Sequence, residues 1–503
     1  MSNTLKNHNE FNMLNKFIMT VGLFALFGSA AAEKVAPVVS APQPAELALI
    51  RHEQTADLPP EIKAWMLQYK IPVDNLSVYI RDLNADVPMV VHQDKVPRNP
   101  ASVMKLLTTW TALKLLGPSY TWKTEAWTRG ELKDGVLNGD LILKGFGDPF
   151  LTDEAFWQLL HDLQLKGLKD IRGDLIIDNS YFSIPDYDAA AFDNEPTRVY
   201  NAKPSALMFN FQASRFLFEA DQVHGKVGVT PFPLIPGLQL ENSMTLSKGG
   251  CSKQHYRPDF EQDSTAIKVS GAYSADCGKN FILRVMSTPE QHVFNAFRDV
   301  WHSQGGLFNG KLQSNGQVQA TDSLLHTHES RTLGEQIRFV NKWSNNVMAR
   351  NIFLTIGAKM LGAPATLDKS RIATAELLQK SGVDYTGMVV ENGSGLSRTA
   401  RLSARQLGQL LEVAWRDPYM PEFMASMPLL GEDGTLATRF NDDDLRGRSH
   451  MKTGTLNDAT AIAGYMITRS GKRLVIVLQY NGREAQAGGR KLQDAILKWA
   501  FEQ

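Results

Sequence analysis

Apolar positions change their spacing several times along the chain, and each change marks an element. Residues 17–28 form one short, continuous apolar run from Phe17 to Gly28. A Pro-, Ala- and Val-rich stretch covers 34–59, after which Ile62, Trp65 and Met66 fall at helical spacing and predict a helix over 60–70. Two strand-like runs at 75–82 and 89–93 predict a hairpin. A strongly helical stretch opens at Asn99-Pro100-Ala101-Ser102, with Asn as cap and Pro at the first helical position. It reaches Leu116, where Gly117-Pro118 stops it.

From about 122 to 324 the texture is β-rich, with turn signals at Lys133-Asp134-Gly135, Asn138-Gly139 and Arg172-Gly173-Asp174 and one helical piece over 152–165. Helical periodicity returns at 332–343, 346–360, 373–381 and 403–415. Runs at 448–454, 459–468 and 473–480 predict three antiparallel strands, the last two joined through Ser470-Gly471. A final helix over 489–501 places Leu492, Ile496, Leu497 and Trp499 for packing on that sheet rather than in a membrane. At 503 residues the chain exceeds one ordinary core, so an α/β protein of two or three domains is expected.

Charge narrows the function classes. Lys+Arg and Asp+Glu are both 53, so no basic excess points to nucleic acid or to an anionic membrane surface. At the N-terminus, Lys16, the apolar run and Ser29-Ala30-Ala31-Ala32-Glu33 make a secretory signal peptide over 1–32, with the mature chain starting near Glu33. The competing reading is a membrane anchor, but the run is short for a span and lacks a stop-transfer cluster. Once the leader is cleaved, no membrane span is expected. In an exported protein Cys251 and Cys277 suit one disulfide, against the alternative of two unrelated buried thiols.

Three short motifs carry candidate chemistry: Ser102-Val103-Met104-Lys105, Ser344-Asn345-Asn346 and Lys452-Thr453-Gly454. Ser102 and Lys105 stand at i and i+3, on one helix face. Ser102 would occupy the third helical position, where its N–H has no intrahelical acceptor and is free for an oxyanion unless Asn99 caps it. Burial and a second cation, Lys452, would make Lys105 neutral and basic. Ser344 and Asn346 fall where one helix breaks and another begins. Gly454, at a strand end, would let substrate backbone approach an exposed edge. Each motif alone has a bland reading: a helix cap followed by a solvated lysine, an ordinary N-cap, and a lysine guarding a strand edge. All three must hold together to dismiss the set.

The trio, in this order, resembles that of the serine penicillin-recognising enzymes. The 242 positions between Ser102 and Ser344 resemble the large insertion of the class C low-molecular-mass penicillin-binding proteins, the D-alanyl-D-alanine carboxypeptidase/endopeptidases (DacB-like). Gly145-Phe146-Gly147-Asp148-Pro149, Gly173–Asp178 with Ser180 and Phe182, Gly393–Arg398, and Gly434-Thr435 beyond Met427–Gly431 also look like theirs. The resemblance implies a penicillin-binding/serine β-lactamase-like transpeptidase domain, an antiparallel sheet flanked by helices, in two parts at 33–125 and 325–503. These are split by a β-rich region over 126–324, forming two small domains. It implies a periplasmic serine DD-peptidase acting on peptidoglycan stem peptides, inhibited by β-lactam antibiotics, with no cofactor and no metal.

On this chain the resemblance makes Ser102 the nucleophile, Lys105 its base, Ser344 and Lys452 the proton relay, and Asn346 an orienting residue. Thr453 and Thr455, with Gly454 between them, serve the substrate carboxylate; the N–H groups of Ser102 and Thr455 form the oxyanion hole. Arg398, Asn457 and Asn210 are candidates for the stem peptide's diamino acid. Two departures stand out: Asn392 replaces the Asp that usually opens the Gly393–Arg398 motif, and Asn210 replaces a carboxylate of some relatives. The resemblance admits a homodimer without requiring one. The rivals are a β-lactamase or esterase on the same scaffold and a non-catalytic peptidoglycan-binding scaffold. His326 and His328 lack further ligands at sensible spacing, Asp442–Asp444 reads as a solvated turn, and no G-x-S-x-G elbow occurs.

Overall fold

The structure, a computed structural model, describes residues 56–503 except 185–186, 234–238, 253–255 and 263–265. The leader expected over 1–32 lies outside the described residues. Five strands form the sheet that organises the site, in the order Ser449–Thr455, Ala459–Ile467, Arg473–Asn481, Leu76–Asp82 and Val90–His92, each antiparallel to its neighbours. The central strands are buried along nearly their whole length because helices cover both faces. Alternation sorts their side chains. Ala461, Ala463, Val475 and Val477 pack with helices Met104–Leu116 and Ala404–Trp415, while Ile462, Met466, Ile476 and Leu478 pack with Pro60–Gln68 and Arg490–Phe501. Sequence period and observed elements agree here to within a residue or two.

Between Trp122 and Ser330 the chain leaves this domain and returns at one place, where Lys123 and Glu329 are paired partners in adjacent strands. The excursion builds a seven-stranded mixed sheet whose core includes Phe156, Leu159, Leu160, Phe297 and Trp301. Farther out, two three-stranded sheets share a smaller core of Phe216, Phe218, Met244, Ile267, Val269 and Tyr273. Cys251 and Cys277 are joined in a disulfide, with Cα atoms 4.8 Å apart.

Three corrections concern helices. The excursion contains a second helix, Pro289–Ser303, where only one was expected. Thr288 caps it, accepting from the Gln291 N–H at 3.2 Å, and Pro289 starts it, a signal hidden by the surrounding β texture. The helix expected at 373–381 begins earlier, at Leu367, capped by Thr366. A short helix, Met420–Ser426, was not expected. Among the described residues no helix is long and apolar enough to cross a membrane.

Candidate active site

Ser102 sits in a 3-10 turn, Ala101–Val103, and the α-helix proper begins only at Met104. This corrects the expectation of Ser102 as the third residue of a regular helix. The Asn99 side chain accepts from the Ala101 N–H at 2.9 Å, so it does not compete for the Ser102 N–H. Ala101, a non-glycine residue at φ +45°, is fully buried and pinned by Gly395, where an added Cβ would lie 1.8 Å from the Ala101 carbonyl oxygen. A backbone this tightly wedged fixes Ser102 before any ligand arrives.

Gly454 supplies the other wall. A Cβ there would meet the Pro100 oxygen at 2.7 Å and the Ser102 nitrogen at 2.8 Å. The chain's own serine turn therefore demands glycine here, independently of the approach of a substrate backbone expected from sequence. The strand Ser449–Thr455 is the sheet's edge, and its first half is closed off because the Met451 N–H donates to Pro428 at 2.9 Å. The period of two then turns the N–H groups of Thr453 and Thr455 to the same free side, beside Ser102.

Lys105 and Lys452 are both fully buried. Lys105 Nζ lies 3.0 Å from Ser102 Oγ, 2.5 Å from Asn346 Oδ1 and 2.6 Å from the Ser394 carbonyl. Burial above all, then the charges of Lys452 and Arg350, hold its proton affinity well below that of an ordinary lysine. Lys452 Nζ donates to Ser344 Oγ at 2.9 Å and to the Thr453 carbonyl at 2.6 Å, and burial lowers its pKa to about 7. Ser344 has φ +57°, another strained backbone at the site. Asn345 caps the helix Asn346–Leu361, accepting from the Met348 N–H at 3.1 Å, which frees Ser344 and Asn346 from capping. The Ser394 carbonyl is presented by a turn that Asn392 ties down: its Oδ1 accepts from the Ser394 N–H and its Nδ2 donates to Leu396 O, both at 3.0 Å. An amide serves this architectural role.

These groups open into a cavity of about 530 Å³ lined by Ser102, Ser344, Asn346, Thr455, Asn457 and Arg398. Thr453 and Gly454 flank it without lining it, and Thr453 Oγ1 lies 2.7 Å from Thr435 Oγ1. Arg398 is half engaged: its guanidinium stacks over Phe192 at 4.1 Å and lies 3.7 Å from an Asp458 oxygen. Asn457 accepts from Gln486 at 3.3 Å. Asn210 does not line this cavity; its neighbour Phe211 does, because three consecutive residues with positive φ, Asn210 to Gln212, reverse the chain there.

Sequence reasoning missed a loop of the excursion, residues 192–200, whose Phe192, Asp193, Val199 and Tyr200 form the cavity's far wall. Buried Arg350 draws that loop in, donating to Tyr187 Oη at 2.9 Å and to the carbonyls of Tyr200 and Ala202 at 3.1 Å. Its spacing from Asn346, one helical turn on, was the available signal. Trp343, 67% exposed beside Ser344, was also overlooked. The arrangement supplies a buried lysine of lowered proton affinity beside a hydroxyl, two outward N–H groups and a second lysine–serine pair, which together suit acyl transfer.

The chain resembles known proteins along most of its length. It is 26% identical over 442 residues to the D-alanyl-D-alanine carboxypeptidase DacB of Haemophilus influenzae, covering 83% of this chain and 87% of that protein. It is 30% identical over 421 residues to the D-alanyl-D-alanine carboxypeptidase of an Actinomadura species, covering 79% and 76%. The crystal structure of penicillin binding protein 4 (dacB) from Haemophilus influenzae shares the fold, with a TM-score of 0.74, 23% identity and coverage of 88% of this chain and all of that one. Residues 58–503 match the profile of D-Ala-D-Ala carboxypeptidase 3 (S13). With buried lysines set against cavity-lining serines, this serine peptidase belongs to the D-Ala-D-Ala carboxypeptidase 3 (S13) family.

Proposed function

We propose that the chain hydrolyses the bond between the two terminal D-alanines of peptidoglycan stem peptides, or the equivalent cross-link, through an acyl-enzyme on Ser102. The observation that carries this reading is the environment of Lys105 Nζ. A neutral amine has two N–H groups and one lone pair. Lys105 Nζ lies 3.0 Å from Ser102 Oγ and has Asn346 Oδ1 and Ser394 O as its other two partners; on losing its proton it keeps an N–H on each of those two and turns its lone pair to the Ser102 hydroxyl. Ser102 Oγ then attacks the carbonyl carbon as its proton passes to Lys105. The oxyanion is taken by the N–H groups of Ser102 and Thr455. The C–N bond breaks as Ser344, hydrogen-bonded to Lys452, passes a proton to the leaving amine. Water later cleaves the acyl ester.

Lys452, Thr453 and Thr455 serve the terminal carboxylate, and a β-lactam carboxylate imitates it. Asn346 and the Phe192–Tyr200 loop face the acyl side. The excursion, expected over 126–324, acts in this reading as two small domains, the inner one lending that loop to the site. Residues 1–32 direct export to the periplasm.

Intact-mass measurement after incubation with benzylpenicillin, beside a Ser102→Ala variant, tests the reading. One stable penicilloyl adduct on the wild type, absent from the variant, is expected. Rapid penicillin turnover would make the protein a β-lactamase instead, and no adduct with no hydrolysis would favour a binding scaffold.

A further inference from the structure

Past Thr455 the catalytic cleft does not end. A second cavity, of about 330 Å³, shares Thr455 and Gln486 with the first and continues along the free edge of Ser449–Thr455 to the start of the closing helix. This volume lies within the range of small-molecule sites, ~300–1,000 Å³. Its charge differs from that of the main cavity. The main cavity sets Asp193 against Arg398, whereas the second is lined by Arg439 and Arg490 and by no carboxylate. Arg439 is buried and committed, its Nε donating to Asp494 at 3.0 Å. Arg490 is exposed, has no ion-pair partner among the described residues, and lies close enough for its charge to disfavour that of Arg439.

The position of this cavity decides what it meets. In the proposed reaction Thr453 and Thr455 hold the carboxylate of the leaving residue, so a cavity beyond them receives whatever that residue carries onward. A leaving D-alanine carries only a methyl group. A leaving diamino dicarboxylic acid, whose side chain continues into a second acidic stem peptide, carries both bulk and further carboxylates. An uncommitted guanidinium is the group that recognises such carboxylates, through two parallel N–H donors.

We propose that this cavity is a leaving-side subsite in which Arg490 binds a carboxylate of the second stem peptide, favouring cross-linked over single-stem substrate. The proposal rests on the Ser102 reading, and the test separates the two. Cleavage is measured as kcat/KM on three substrates: a single-stem pentapeptide, a cross-linked muropeptide dimer, and the same dimer with its leaving-strand carboxylates amidated. Wild type, Arg490→Gln and Arg490→Lys are compared.

The dimer-to-pentapeptide ratio is expected to fall about two- to five-fold in Arg490→Gln, as for a charge-assisted hydrogen bond lost at a solvated rim. Arg490→Lys, keeping the charge, recovers most of it, and the amidated dimer shows no dependence on residue 490. An unaltered ratio in Arg490→Gln, or an equal fall with the amidated dimer, overturns the subsite. A wild type that forms the penicilloyl adduct and cleaves pentapeptide but not dimer overturns the subsite alone. Absence of the adduct removes both readings.

Discussion

Around Ser102 the backbone is held by close contact between chain segments, whereas the outer sheets of the excursion are held by a small core and a covalent tie. Gly395 and Gly454 press from two sides on the Pro100–Ser102 turn, with no room for a methyl group at either. The five-stranded sheet behind them is buried on both faces. The outer sheets share few large apolar residues and carry the Cys251–Cys277 link. Catalysis needs sub-ångström placement, which close packing provides; a peripheral module needs only to stay folded, which a cross-link achieves with less buried surface.

The largest expected effect breaks the site's chemistry while sparing its packing. Lys105→Met should lower the second-order rate of acylation by benzylpenicillin roughly 10²–10⁴-fold, the usual contribution of a base. Its melting temperature should equal or exceed that of the wild type, because a buried amine is replaced by an apolar chain of similar volume. A variant that acylates normally would remove Lys105 from the mechanism. One that melts far lower would make it a structural residue.

Gly454→Ala tests contact itself. The new Cβ must push the Ser102 turn or the edge strand aside, so the acylation rate should fall about 10²–10³-fold, as when one oxyanion donor is lost. The cost in stability should be about 1–3 kcal/mol, typical of overpacking. Little change in acylation would mean that the turn yields easily, and the contrast with the outer sheets would dissolve.

The same comparison explains what was legible in the sequence. The three motifs and the elements that flank them around the five-stranded sheet were readable because they are local: a cap, a period, a short run such as Lys452-Thr453-Gly454. The reason Gly454 must be glycine was not, because the atoms that crowd it lie some 350 residues earlier in the chain. The Phe192–Tyr200 wall was hidden likewise, since irregular loop residues have no period and Arg350 reaches them across the fold. Helix Pro289–Ser303 was readable in principle, with its Thr288-Pro289 start and its buried Val293, Phe297 and Trp301. The surrounding β texture outweighed that signal.

Acidity separates activity from stability at the catalytic end. Lys452 has a pKa near 7 when folded and an ordinary, higher one when unfolded. Between about pH 7 and 10 the unfolded chain therefore binds more protons, and this lysine makes stability rise with pH by up to a few kcal/mol, at about 1.4 kcal/mol per unit. Below about pH 7 both states are protonated and the burial cost is fully present. If the Lys452 ammonium drives proton delivery, kcat/KM should fall over the window where stability rises, with Lys105 protonation setting the acidic limb. Denaturant melts and rate profiles on one buffer series would show whether the curves oppose. Parallel curves would deny Lys452 its charged role.

Removing the covalent tie tests the other side. Cys251→Ser with Cys277→Ser should weaken protection of Ala266–Ser274 against hydrogen exchange by about 3.5 kcal/mol, the loop-closure value for this spacing. Acylation by benzylpenicillin should stay within about two-fold. A large loss of acylation would show that the outer sheets support the site.

Arg398→Gln probes one of the links between the two regions, and its effect should be the smallest. The Arg398 guanidinium stacks on Phe192 and donates to the Phe192 carbonyl at 3.3 Å, yet the side chain remains largely exposed. Such a contact contributes about 0.5–1 kcal/mol. Buried Arg350 also restrains the loop, so the wall should loosen rather than detach. The expected outcome is a two- to five-fold rise in KM for a stem-peptide substrate with kcat nearly constant, since Arg398 touches neither Ser102 nor either lysine in the described contacts. A fall in kcat instead would mean that the loop shapes the acylation step, and that the excursion takes part in catalysis rather than only in recognition.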